Sequence, residues 1–114
     1  MPHRRHFRAS ALILLFSFGC GPIVYVREVS PRAAVALDQA KADQAPQYAP
    51  YEYTKASLYY ERARAEAGRA YYQNAVDWGR RSLDCSWRAS ALARSAQAKP
   101  AKDPPRPNQT CGEL

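Results

Sequence analysis

YTKASLYYERARAEAGRAYYQNAVDWGRRSLDCSWRASALARSA, residues 53–96, carries a repeat of seven. One column reads Ala75, Ser82, Ala89, Ala96, and the column beside it Tyr72, Gly79, Ser86, Ala93. A heptad of this kind keeps one narrow stripe of a helix against a partner. Because the stripe is built mostly from small residues, the partner backbone can approach closely. Trp78, Cys85 and Leu92 flank it on one side, Val76 and Leu83 on the other, and the far face carries Arg80, Arg81, Asp84, Arg88 and Arg94. The preceding segment has a matching stripe, Ala56 and Ala63 beside Tyr53, Tyr60 and Ala67. Two such helices joined by a turn predict an all-α chain built on an antiparallel hairpin, about 51–68 and 71–97. Gly68-Arg69-Ala70 is the expected turn, with the glycine as its punctuation.

Upstream, Ser30-Pro31 reads as a helix start: serine accepts free N–H groups and proline suits the first helical position. Ala33, Leu37 and Ala40 then recur at helical spacing, which predicts a shorter helix over about 31–44 that leans on the hairpin. Pro46 and Pro50 mark a linker, and Glu52 suits the positive end of the helix that follows. Asp77 with Arg81, and Asp84 with Arg88, stand four apart with the acid first, the favourable order for surface pairs. Pro100, Pro104, Pro105 and Pro107 end regular structure, so 98–114 is expected to be a disordered tail beyond a helical domain at 31–97.

The first twenty residues are of another kind. Arg4, Arg5 and Arg8 precede the apolar run Ala9–Phe18, and Gly19-Cys20 follows. A basic start, a short apolar run and a small residue at the cut make an export signal, here 1–19. Ser17-Phe18-Gly19-Cys20 resembles a bacterial lipobox, although lipoboxes prefer leucine where Ser17 stands and a small residue where Phe18 stands. That resemblance implies cleavage before Cys20, a diacylglycerol on its thiol, acylation of the new amine, and a lipidated tether over 20–30. Gly21 stands where aspartate would favour retention in the inner membrane, so the outer membrane is expected by analogy. The alternative is an uncleaved anchor: Ala9–Val26 is uncharged and just long enough to span, although Gly19, Gly21 and Pro22 interrupt it.

The pattern Ala49-Pro50-x-Glu52-Tyr53-x-x-Ala56, then Tyr59-Tyr60-x-x-Ala63-Arg64-x-x-Ala67, then Tyr72-x-x-Ala75, resembles a family of short, alanine-rich bacterial lipoproteins of unknown function. Its members look like single tetratricopeptide-like hairpins and are often associated with OmpA-like envelope proteins. The resemblance covers about 33–96. It implies an envelope address and a helical fold, and it brings no catalytic residues.

Composition points the same way. The chain has 114 residues and a formal net charge of +7 from 17 basic and 10 acidic side chains; without Arg4, Arg5 and Arg8 it keeps 14 against 10, or +4. Charges of mixed sign along exported helices argue against a nucleic-acid partner. Both histidines, His3 and His6, precede Cys20, so a processed chain lacks the usual general base and the commonest metal ligand. Glu61 and Glu66 stand five apart among arginines and read as solvated surface. No enzyme activity, catalytic residue, metal, cofactor or small-molecule substrate is therefore expected.

Seven of the eight tyrosines lie between Tyr48 and Tyr72. They either fill space around the alanines or form a recognition surface. Tyr51 and Trp87 are the strongest candidates for partner contacts, with Arg80 and Arg94 on the face of Trp87; the bland reading of Trp87 is packing under the first helix. With Cys20 assigned to lipid, Cys85 and Cys111 remain for a disulfide in an oxidising compartment. The expectation is a lipid-anchored outer-membrane protein, with envelope proteins or peptidoglycan as partners for a non-catalytic module. An inner-membrane accessory subunit of an envelope machine is the alternative.

Overall fold

The computed structural model describes residues 20–98 and 111–112, with the backbone alone for Cys20 and Gly21. The elements are α1 (Cys20–Val24), a π-helical turn (Tyr25–Val29), α2 (Ser30–Ala42), α3 (Ala45–Tyr48), α4 (Pro50–Gly68) and α5 (Tyr72–Ala98). No strand occurs among the described residues. The expected hairpin is α4 with α5, and the expected first helix is α2.

Residues 20–30, expected as a tether, are helical instead. Val24, Val29 and Ser30 all keep right-handed helical angles, so α1, the π turn and α2 run on without a break. Ser30 therefore does not cap a helix, and its own N–H reaches back to the Tyr25 carbonyl. Pro31 explains the wide turn. Proline has no N–H and its ring crowds the carbonyl four residues back, so an α-helix entering it must open locally. A five-residue spacing relieves that crowding. Tyr25 and Val29 point inward and are buried.

The three long helices pack up, down and up. Ala63 meets Ala75 near the turn, and the Ser82 hydroxyl donates to the Ala56 carbonyl at 2.8 Å further along, so α4 and α5 are antiparallel. Tyr25 and Val29 pack against Ala75 and Val76, and Ala40 against Ala89 and Ala93, so the first rod runs parallel to α5. Three apolar clusters stack along the bundle. The one nearest the turn holds Tyr25, Val29, Ala63, Ala75 and Val76; the middle one holds Ala56, Cys85 and Cys111; the far one holds Ala40, Ala45, Ala49, Ala89 and Ala93. Both heptad columns of α5 are buried along the bundle, apart from their half-buried ends at Tyr72 and Ala96. Ala89 nevertheless faces Ala40, Ala45 and Ala49 more than α4, because α3 folds over the open end of the hairpin.

Glycine is not what turns the chain. Gly68 is the last residue of α4, and a side chain added there would meet nothing. Ala70 takes the left-handed conformation, at φ 63°. Its N–H donates to Ala67 and that of Tyr71 to Glu66, at 3.0 and 2.9 Å, which closes a Schellman turn around an alanine. Gln44 plays the corresponding part after α2, at φ 61°. Of the tail, Cys111 and Gly112 are described and both are buried. Residues 1–19, expected as a signal segment, and residues 99–110 and 113–114 lie outside the described residues.

Candidate functional site

Small residues at the seam bring α2 close to α5, and a hollow lies beside the seam between residues of the two helices. It is an open, largely apolar groove of about 770 Å³ lined by Pro31, Val35, Ala36, Leu83 and Trp87. Arg32, Gln39, Ser90 and Arg94 supply its polar rim. Trp87 remains 63% exposed and Val35 68%, so Trp87 stands beside the first helix rather than under it.

One rim is held rigidly. The carboxylate of Asp43, just past α2, accepts from the Ser90 hydroxyl and from Gln39 Nε2 (3.2 Å), and pairs with Arg94 Nε at 3.5 Å. Gln97 Nε2 donates to the Asp43 carbonyl at 2.6 Å. This knot fixes Arg94 at the groove and ties the end of α2 to α5. Of the four residues singled out as partner contacts, Trp87 and Arg94 share the groove. Arg80 is exposed one helical turn before Leu83 and does not line it. Tyr51, 61% exposed at the start of α4, lies elsewhere, with Lys55 Nζ 5.7 Å from its ring centre.

A second, polar hollow sits at the hairpin turn. Glu66 is its pivot and is buried, contrary to the expectation of a solvated surface residue. Arg62 Nε lies 3.0 Å from its carboxylate, Arg69 Nη1 4.0 Å, and Asn74 Nδ2 3.5 Å. Spacing within α4 alone could not show this, because Arg69 stands in the turn and Asn74 comes from beyond it. Trp78 lies close by, with Arg81 at 5.1 Å and Arg62 at 6.0 Å over its ring and Tyr59 at 5.4 Å.

Cys85 and Cys111 are joined in a disulfide, with their Cα atoms 5.0 Å apart. Both are buried beside Ala56, Leu37 and Tyr59. The Gly112 N–H donates to Asp84 at 2.8 Å, which holds the tail on α5. The side chain of Cys20 lies outside the described residues. Among the described residues no group of three or more His, Cys, Asp or Glu could hold a metal ion, and no helix is long and apolar enough to cross a membrane.

Fold and groove together define a small three-helix bundle with an open aromatic and aliphatic margin. Residues 32–103 match the domain of unknown function DUF4398, and the chain belongs to that family. The match spans α2 to α5, the part that builds the groove. No curated protein and no solved structure matches the chain.

Proposed function

We propose that this chain is a bacterial outer-membrane lipoprotein, anchored through Cys20, that serves as a non-catalytic interaction or scaffold module on the periplasmic side. The anchor rests on the basic start, the apolar run and Gly19-Cys20. The interaction role rests on one observation: Trp87 and Val35 stay exposed across a groove whose rim is locked by Asp43. Large aromatic and aliphatic side chains held open on a rigid frame are the usual anchors of protein contacts. An apolar groove of this width suits a helix or loop of an envelope protein better than peptidoglycan, whose surface is polar.

Pull-down from detergent-solubilised envelope tests the module. Wild-type protein should retain a specific partner, Trp87→Ala and Val35→Asp should lose it, and Tyr51→Ala should keep it. Equal capture by all four would overturn the groove assignment. Metabolic palmitate labelling tests the anchor, with the label lost in Cys20→Ala.

A second reading is favoured by one feature. α1 (Cys20–Val24) passes through Gly21 and Pro22, so these residues do not interrupt helix there. A helix carries an internal proline where it opens locally, as the rod does at Pro31, so Pro22 does not bar an uncleaved apolar segment from continuing into α1. The protein would then be an inner-membrane accessory subunit. Mass spectrometry of the cellular protein separates the two, since only this reading retains residues 1–19.

A further inference from the structure

We propose that the hairpin turn is a membrane-contact surface, seated in the headgroup layer of an anionic bilayer. This rests on the reading that the chain is membrane-anchored at or just before Cys20.

The first rod sets the geometry. Val24 and Tyr25 pack in the same cluster as Ala67 and Tyr72, the residues on either side of the turn. The rod runs from there toward Ala40, at the opposite end. Cys20 therefore lies at the turn end, about one helical turn beyond Val24, or roughly 6 Å at 1.5 Å per residue. Because this link is helical and packed, an anchor at Cys20 does not let the bundle swing freely. It delivers the turn to the bilayer surface.

The chemistry of that end fits the location. Ile23 is 53% exposed, Val26 61% and Tyr71 59%. Tyrosine and aliphatic side chains of this kind settle at the headgroup boundary, where apolar groups sit about 5–10 Å deep. Residues 20–30 and 62–80, the levels from the turn to the place where Val29, Ala63 and Gly79 meet, contain five arginines, Arg27, Arg62, Arg64, Arg69 and Arg80, all exposed. The same levels contain three carboxylates, the exposed Glu28 and Asp77 and Glu66, which is buried against Arg62, so five against three leaves a net charge of +2. Such a cap of arginines attracts anionic lipid over about a Debye length. It also aims the Trp87 groove sideways, away from the bilayer.

Bromolipid quenching of the full-length, membrane-reconstituted protein tests the orientation. One variant carries Tyr71→Trp with Trp78→Phe and Trp87→Phe; the other carries Trp78→Phe and keeps Trp87. In vesicles of equal parts phosphatidylcholine and phosphatidylglycerol, emission from position 71 should fall by about half and that from Trp87 should hardly change. Adding Arg64→Glu and Arg69→Glu, or raising the salt, should weaken the effect at 71. Equal quenching at both positions, or none at 71, overturns the proposal while flotation with the vesicles leaves the anchor standing. Failure to float overturns both. Amide exchange of unsubstituted protein provides a readout without mutations: the amides of 68–72 should slow on anionic vesicles relative to zwitterionic ones, and unchanged rates there would count against the contact.

Discussion

At the residue scale, an alanine, a glycine and two serines separate what a small residue does from where it stands. Ala70 takes a left-handed conformation that costs an L-residue roughly 1–2 kcal/mol, while Gly68 sits in helix, where glycine costs roughly 0.5–1 kcal/mol. Exchanging the roles should help twice. Ala70→Gly and Gly68→Ala are each expected to stabilise the bundle by about 0.5–1 kcal/mol, read as a rise in the midpoint of urea unfolding. A fall for Gly68→Ala would mean that the turn needs its flexibility. The serines differ in their partners. Ser82 donates across the seam to the Ala56 carbonyl, whereas the buried Ser86 hydroxyl meets no partner. Ser82→Ala should cost about 1–3 kcal/mol, and Ser86→Ala should be neutral or stabilising. Equal effects on thermal unfolding would place both hydroxyls in the same environment.

The elements show how closely the backbones meet. At Gly79 a single added methyl would run into Val29 Cγ1 and approach Ala63 Cβ to 3.9 Å. Alanine is the better helix former by about 1 kcal/mol. Even so, Gly79→Ala should destabilise by about 1–3 kcal/mol, because a packed seam does not yield. A stabilised protein would show that the first rod can move off the hairpin. Much of this level was legible in the sequence. The two columns of small residues in 72–96 marked the buried face of α5, and Pro50 and the turn at Gly68-Arg69-Ala70 bounded α4 and α5 closely. The continuous rod over 20–42 was not legible. Ser30-Pro31 has the composition of a start signal, and only Tyr25 and Val29 packing on the hairpin makes the chain stay helical through it. Trp87 illustrates the same limit at the site. Its spacing placed it off the seam, but whether α2 covers it depends on how α2 sits beside α5, which no local pattern encodes. Arg80 and Tyr51 carried the same compositional signal and lie outside the groove.

For the molecule as a whole, the question is what keeps an alanine-rich core folded. Among the described residues fifteen apolar ones form the buried core, and ten of them are alanines that each bury little area. Such a core is marginal by itself. Two links compensate. The Asp43 knot closes the end where α2, α3 and α5 meet. The Cys85–Cys111 bond ties residues 26 apart and brings the tail against Tyr59 and Asp84. In the chain-entropy model a loop of that length is worth about 3.5 kcal/mol, a large share of the stability of a small domain. Non-reduced protein should therefore expose no alkylatable thiol from this pair without denaturant. Reduction should lower the melting temperature by roughly 15 °C or more, since about 1 kcal/mol shifts a domain of this size by 4–8 °C. Cys85→Ser protein should melt at that lower temperature with or without reductant. Gly112 sharpens the test. It stands at φ +79°, and an added Cβ would lie 2.6 Å from Tyr59. Gly112→Ala should thus destabilise the oxidised protein and leave the reduced one nearly unchanged, because only the closed bond holds the tail against Tyr59. If the substitution costs the same in both states, the tail docks without the disulfide, and the bond merely records that docking.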